Sequence, residues 1–201
     1  MPTDTPTVLA QTRAWVERAV IGLNLCPFAK GPQVRGLVRY VVSTATDNAE
    51  LQAALREELT YLANTSPAQV ETTLLIHPQV LRDFLDYNDF LELADDTIAA
   101  LDLTGVLQVA SFHPDYQFAG TASHDITNAT NRAPWPTLHL LREASIEHAL
   151  AAFPEPEAIY TNNLATLERL GPAGWAALQQ QCRADVEAAI AARPPAPTQP
   201  A

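Results

Sequence analysis

The sequence predicts an α/β fold, with a single domain built on a small, mainly parallel sheet of about three or four strands flanked by helices. One observation is that short β-branched and aromatic segments alternate with longer segments of helical periodicity. The other is that 47% of the 201 residues are hydrophobic, which is enough for a sizeable core. The alternative is an α+β sandwich of the ferredoxin-like kind.

The elements follow from the local patterns. Strand candidates are residues 37–44, 71–76 and 106–112, with a weaker one at 158–161. Helical spacing is found over 7–23, 47–63 and 80–101, from about Thr137 onward, and over 163–169 and 172–192. Thr46 or Asp47 is suited to cap the second helix. We expect one globular domain over residues 1–194 and a flexible Pro- and Ala-rich tail over 195–201.

Charge and composition narrow the classes of partner. The formal net charge of −11 disfavours nucleic acid and anionic membranes as general partners, although it permits a small ligand held by local arginines. No apolar run approaches the roughly 20 residues that span a bilayer. Cys26 and Cys182 are too few for a disulfide framework, and no secretory signal pattern is present, so we expect a cytoplasmic protein. Cofactor and oligomeric state are left open.

Two strand candidates end in the same dipeptide, as Ile76-His77-Pro78 and Phe112-His113-Pro114. In a parallel sheet both ends lie at one edge, which is where ligands usually bind in α/β folds. We therefore expect His77 and His113 to lie close together. Alternatively, each histidine caps its strand through a backbone hydrogen bond, which is the preferred interpretation for His77 alone.

The segment after His113 is long for a connection and dense in polar groups, which is typical of a binding loop. Its candidate groups are Asp115, Asn128, Asn131 and Arg132. A helix from Thr137 would place His139 and Arg142 on one face near its N-terminus, where an anion is favoured. The alternative is that the two arginines form internal salt bridges, for example with Asp115 or Asp125.

These patterns suggest a catalytic group and a binding group. Cys26, followed by Lys30, is a candidate nucleophile, His113 a candidate acid–base group, and Asp115 the residue that would orient it. The substrate-binding candidates are Asn128, Asn131, Arg132, His139 and Arg142. The opposing interpretation of Cys26 is a buried small hydrophobic residue. A metal site of His77, His113 and His139, completed by Cys26 or Asp115, is an alternative, although the spacing matches no compact zinc pattern.

Several segments resemble a bacterial and plant family catalogued as domain of unknown function 1415. They are Asn24–Lys30, Leu75–Pro78, Asp86–Phe90, Gln108–Thr121, and Asn131-Arg132 with His139–Glu143. The resemblance extends from about Trp15 to Trp175. It implies that these segments are the family's signature, and it implies no activity.

Three functions are consistent with the residues. The first is an enzyme that acts on a small polar or anionic metabolite at a Cys, His, Asp and Arg site around residues 113–142. The second is a metal-dependent enzyme that uses His77, His113 and His139. The third is a non-catalytic protein whose central loop binds a ligand or a partner through Tyr116, Phe118 and Trp135.

Overall fold

The computed structural model describes residues 4–151 and 155–192, and its centre is one four-stranded sheet. The strands are β1 (Val38–Val42), β2 (Thr72–Ile76), β3 (Leu107–Phe112) and β4 (Thr137–Arg142), in the order β1-β2-β4-β3. β1 runs parallel to β2, whereas β4 runs antiparallel to both β2 and β3. The fold is therefore mixed α/β with helices around the sheet, and the prediction of a mainly parallel sheet is wrong.

The error comes from β4, which the sequence predicts as a helix beginning near Thr137. Leu138 and Leu140 are fully buried and point into the core on one face of the sheet. The intervening His139 packs against Phe112, which belongs to the core on the opposite face. The two-residue period is obscured because Leu140 and Leu141 are adjacent and both suit a helix.

Helices cover both faces of the sheet. They are α1 (Thr5–Trp15), which continues as a π-helix (Val16–Ile21), α2 (Lys30–Val34), α3 (Asn48–Asn64), α4 (Phe84–Ala100), a 3-10 helix (Ile126–Thr130), α5 (Glu143–Ala151) and α6 (Ala158–Ala191). As expected, the Asp47 side chain caps α3 by accepting from the Glu50 N–H. None of the helices in the described residues is long and apolar enough to cross a membrane.

The last helix differs from the sequence expectation in one part and agrees in another. The weak strand candidate at 158–161 is the first turn of α6, so that prediction is wrong. The expected break between two helices is present, because Gly171 has a φ of 65° directly before Pro172. The predicted flexible tail, 195–201, lies outside the described residues.

Two hydrophobic clusters sandwich the sheet. The α3 and α4 side is filled by leucines, including Leu51, Leu55 and Leu59, together with Leu138 and Leu140 of β4. The opposite side, which we call the α1 face, contains Trp15 and Val16 against Leu74, Ile76 and Phe112. Each cluster uses alternate residues of the same strands, as the pleat of a sheet requires.

Tyr87 of α4 ties three strand ends together inside the core. Its hydroxyl donates to the Thr137 carbonyl at 2.8 Å and accepts from the Phe112 N–H at 3.0 Å. The His77 ring stacks on the Tyr87 ring at 5.8 Å between centroids, and the His113 ring lies 5.1 Å away. The start of β4 and the ends of β2 and β3 therefore meet at one buried phenol.

We expect Tyr87→Phe to destabilise the protein by at least about 2 kcal/mol, because it leaves a buried carbonyl and a partly buried N–H without a partner. Urea unfolding monitored by circular dichroism measures the change. Tyr160→Phe is the control, since Tyr160 is 58% exposed. Equal stability of the two variants would contradict the central position given to the Tyr87 hydroxyl.

Candidate functional site

His77 and His113 lie at one edge of the sheet, but their rings are engaged with the backbone. The Asp115 N–H donates to His113 Nδ1 at 3.0 Å, so His113 carries its proton on Nε2 and donates it to the Leu81 carbonyl at 3.2 Å. His77 Nδ1 donates to the Val80 carbonyl at 3.1 Å. Both side chains are fully buried. This geometry is that of the strand-capping alternative.

Asp115 contacts His113 through its backbone rather than through its carboxylate. The residue itself is exposed. The catalytic role suggested for Asp115 and His113 remains a prediction, and these contacts lend it no support.

Asn128 organises the central loop from within. It is fully buried, and its Oδ1 accepts from the Phe118 N–H at 3.0 Å and from the Thr121 hydroxyl at 2.8 Å. Its Nδ2 donates to the Ala122 carbonyl at 2.8 Å. The amide therefore has protein partners at both ends, which leaves little capacity for a ligand.

Arg132 and Asn131 also bond to the backbone of the loop and of the neighbouring strand. Arg132 donates to the carbonyls of Tyr116 and Ser123, at 3.1 and 2.6 Å. Asn131 Nδ2 donates to the Ser111 carbonyl at 3.1 Å. These residues shape the loop, and their proposed contact with substrate stays a prediction.

Arg142 stabilises the end of α3. Its Nη2 lies 2.8, 2.6 and 3.0 Å from the carbonyl oxygens of Leu62, Thr65 and Val70. Burial lowers the pKa of Arg142, and the nearby Glu71 opposes that shift. Because Arg142 lies on a strand, it points to the α3 side while His139 points to the α1 face, so the shared helical face expected for these two residues is wrong.

The three histidines do not gather into a metal site. His139 lies on the α1 face, whereas His77 and His113 pack around Tyr87 of α4. Within residues 4–151 and 155–192, no group of three His, Cys, Asp or Glu side chains is placed to hold a metal ion. The alternative built on His77, His113 and His139 is therefore not supported.

A cavity of about 660 Å³ lies on the α1 face, within the size range of small-molecule sites. Strand residues Val38, Thr72 and Leu141 place it toward the N-terminal ends of β1 and β2, where β4 ends. This is the opposite edge from His77 and His113. The cavity is lined by Cys26, His139 and Arg142, so the structure brings together three residues that the sequence singled out.

Cys26 reaches the cavity at the end of the π-helix. The N–H groups of Leu25 and Cys26 both donate to the Val20 carbonyl, at 2.9 and 3.4 Å. Burial raises the pKa of the Cys26 thiol, and hydrogen bonds from the N–H groups of Phe28 and Ala29 only partly oppose that shift. The thiol is therefore protonated at neutral pH.

His139 presents an unprotonated nitrogen at neutral pH. The Thr72 hydroxyl donates to the Leu140 carbonyl at 2.6 Å, so it accepts from His139 Nε2 at 2.8 Å. Nδ1 is thereby left with its lone pair, and no described residue forms a hydrogen bond with it. Burial lowers the pKa of His139 to about 4, so the ring is neutral. A neutral imidazole of fixed tautomer beside a cavity is suited to accept a proton.

Several residues of this cavity were not among the candidates that the sequence suggested. Thr72 fixes the tautomer of His139, Trp15 and Val16 form an apolar wall, and Arg35 lies at the opening. His148, which lies outside the resembling segments, also lines it. Thr72 could have been found from the sequence, because it is a polar residue at the start of an apolar strand.

The two buried neutral histidines predict a loss of stability in mild acid. Burial lowers the pKa of both His77 and His139 to about 4, from an ordinary value of 6.5. The unfolded chain therefore binds these protons first as the pH falls, and stability is lost between pH 6.5 and 4. We expect each ring to contribute about 2 kcal/mol of this loss between pH 7 and pH 5.

Urea unfolding at pH 7, 6 and 5 measures this dependence. His139→Gln keeps a donor for Thr72 but does not titrate, so its loss over this range should be smaller than that of the wild type by about 2 kcal/mol. His124→Gln, at an exposed position, should follow the wild type. An unchanged pH dependence in His139→Gln would show that the ring is not held neutral by burial.

Comparison with known proteins gives a family and no activity. No curated protein and no solved structure matches the chain. One family model, described as a protein of unknown function (DUF1415), matches residues 7–177, which include both Cys26 and His139. The chain therefore belongs to the DUF1415 family.

Proposed function

We propose that this protein is an enzyme that acts on a small molecule with a polar or anionic group, bound in the cavity on the α1 face. Cys26 supplies the nucleophilic sulfur, and His139 Nδ1 accepts the proton that the thiol releases. The observation that carries the proposal is that these two side chains line one cavity. A nucleophile and a neutral base at one site are the minimum for covalent catalysis.

The protonation states suit this division of roles. The raised pKa of Cys26 keeps the sulfur as a thiol until a base removes its proton. The lowered pKa of His139 keeps that base unprotonated over the physiological range. The backbone N–H groups of Phe28 and Ala29 act to lower the pKa of the thiol against the effect of burial, so they would stabilise the thiolate once it forms.

The backbone beside the cavity also supports a functional site. Val16 and Val20 of the π-helix line the cavity, and the same turn positions Cys26. π-helical turns are rare in proteins, and they occur frequently at functional sites.

The loop residues have an indirect role in this proposal. Asn128, Asn131 and Arg132 hold the loop between β3 and β4, and Arg142 holds the end of α3. They would thereby fix the position of β4, which carries His139. In this proposal the Asp115 and His113 pair supports the sheet edge rather than the reaction.

Ligand binding without catalysis is the second candidate. The raised pKa of the Cys26 thiol favours it, because a buried, protonated cysteine is also a small apolar wall residue.

In both cases the partner is a small molecule rather than nucleic acid, in keeping with the acidic composition. The two free cysteines are in keeping with a cytoplasmic location.

Alkylation of the thiol distinguishes the two candidates. In a Cys182→Ala background only Cys26 reacts, and mass spectrometry gives its rate with iodoacetamide from pH 7 to pH 10. If His139 accepts the thiol proton, we expect His139→Gln to lower the rate several-fold at pH 7. At pH 10 the variants should converge, because hydroxide then forms the thiolate.

Cys182 provides the matched control. It is also partly buried, but it donates to the Ala14 carbonyl and lines a different cavity. In a Cys26→Ala background its alkylation should be independent of His139. Equal rates for Cys26 at pH 7 with and without His139 would contradict the base role and favour binding without catalysis.

A further inference from the structure

We infer that the ligand of this cavity is an amphipathic carboxylate, with an aliphatic or arylalkyl body and a single anionic end. The inference rests on the function proposed above for the same site, and it specifies the substrate class. It depends on three features: apolar walls, the absence of charge on Cys26 and His139, and an exposed arginine, Arg35, with free terminal nitrogens.

The walls of the cavity are apolar, and little of their surface is exposed. Trp15 and Val16 are each 6% exposed and Leu74 is 3% exposed, and Phe112 packs edge-on against Trp15 at 5.3 Å. All four line the cavity. A ligand gains free energy here by removing apolar surface from water, so most of its body must be hydrocarbon.

Cys26 and His139 offer polar groups that carry no charge, and the charged residues Glu71 and Arg142 also line the cavity. His139 is neutral because burial lowers its pKa, and the Cys26 thiol is protonated because burial raises its pKa. A carboxylate placed there would lose its hydration without gaining a charged partner. We therefore place the anionic end at Arg35, and a substrate of this class would carry an electrophilic group at its far end, beside the sulfur.

Arg35 is the cation at the opening. It is exposed, and its Nε donates to the Gly31 carbonyl at 3.2 Å, which leaves its terminal nitrogens free. Arg142 also lines the cavity, but its Nη2 donates to three backbone carbonyls, whereas Arg35 has no carboxylate partner in the described residues. Since acidic residues outnumber basic ones by 23 to 12, an unpaired arginine at a cavity mouth is suited to an anionic ligand.

The probes are butanoate, octanoate and octan-1-ol, titrated into the full-length protein by calorimetry. Octanoate should bind at least about tenfold more tightly than butanoate, because each added methylene is buried against the apolar walls. Arg35→Gln should weaken octanoate about three- to fivefold and leave octan-1-ol unchanged, as expected for an exposed ion pair. Arg56→Gln, at an exposed position on α3, is the control.

Protection of the thiol shows whether the probe occupies this cavity. Octanoate should slow alkylation of Cys26 and leave Cys182 unaffected. If octanoate binds and protects Cys26 but Arg35→Gln does not weaken octanoate binding, the proposed contact between the carboxylate and Arg35 is wrong. If no probe binds while the rate of Cys26 alkylation still depends on His139, the substrate class is wrong and the proposed function stands. If that dependence is also absent, the proposed function fails as well.

Discussion

The backbone of β4 hydrogen-bonds to β2 on one side and to β3 on the other, and its six residues alternate between the two faces of the sheet. Leu138 and Leu140 thereby complete the core beneath α3 and α4. His139 is delivered to the α1 face, where the cavity lies. A register shift by one residue would bury His139 in the leucine core and move the leucines to the α1 face, so fold and site depend on the same pairing.

Burial sets the protonation states of His139 and Cys26. His139 is neutral because it is enclosed, and its tautomer is fixed because the Thr72 hydroxyl has already given its proton to the Leu140 carbonyl. The Cys26 thiol keeps its proton for the same reason. The cavity therefore combines an uncharged acid with an uncharged base among apolar walls, and Arg35 is a charged lining residue whose terminal nitrogens are free.

The sequence was sufficient wherever the signal is local. The strands at 72–76 and 107–112 and the helices α3 and α4 follow from periodicity and capping, and the break at Gly171 follows from the Gly-Pro pair. β4 was missed because a leucine-rich segment suits a helix until distant strands offer it hydrogen bonds on both sides. Cys26 and His139 were singled out, but their shared cavity was not foreseeable because it forms between segments far apart in the chain. Polarity alone also did not show that Asn128 and Arg132 bond within their own loop rather than to a ligand.

The central claim is that Cys26 and a neutral His139 share one cavity. Long-range ¹H–¹⁵N NMR of the histidine rings tests it most directly, with spectra recorded at pH 7 before and after carboxamidomethylation of Cys26. We expect His139 to be protonated at Nε2 alone, and its Nδ1 resonance to shift on modification while those of His77 and His113 do not. An imidazolium at His139, or a His139 Nδ1 resonance that does not shift when Cys26 is modified, would contradict the shared cavity.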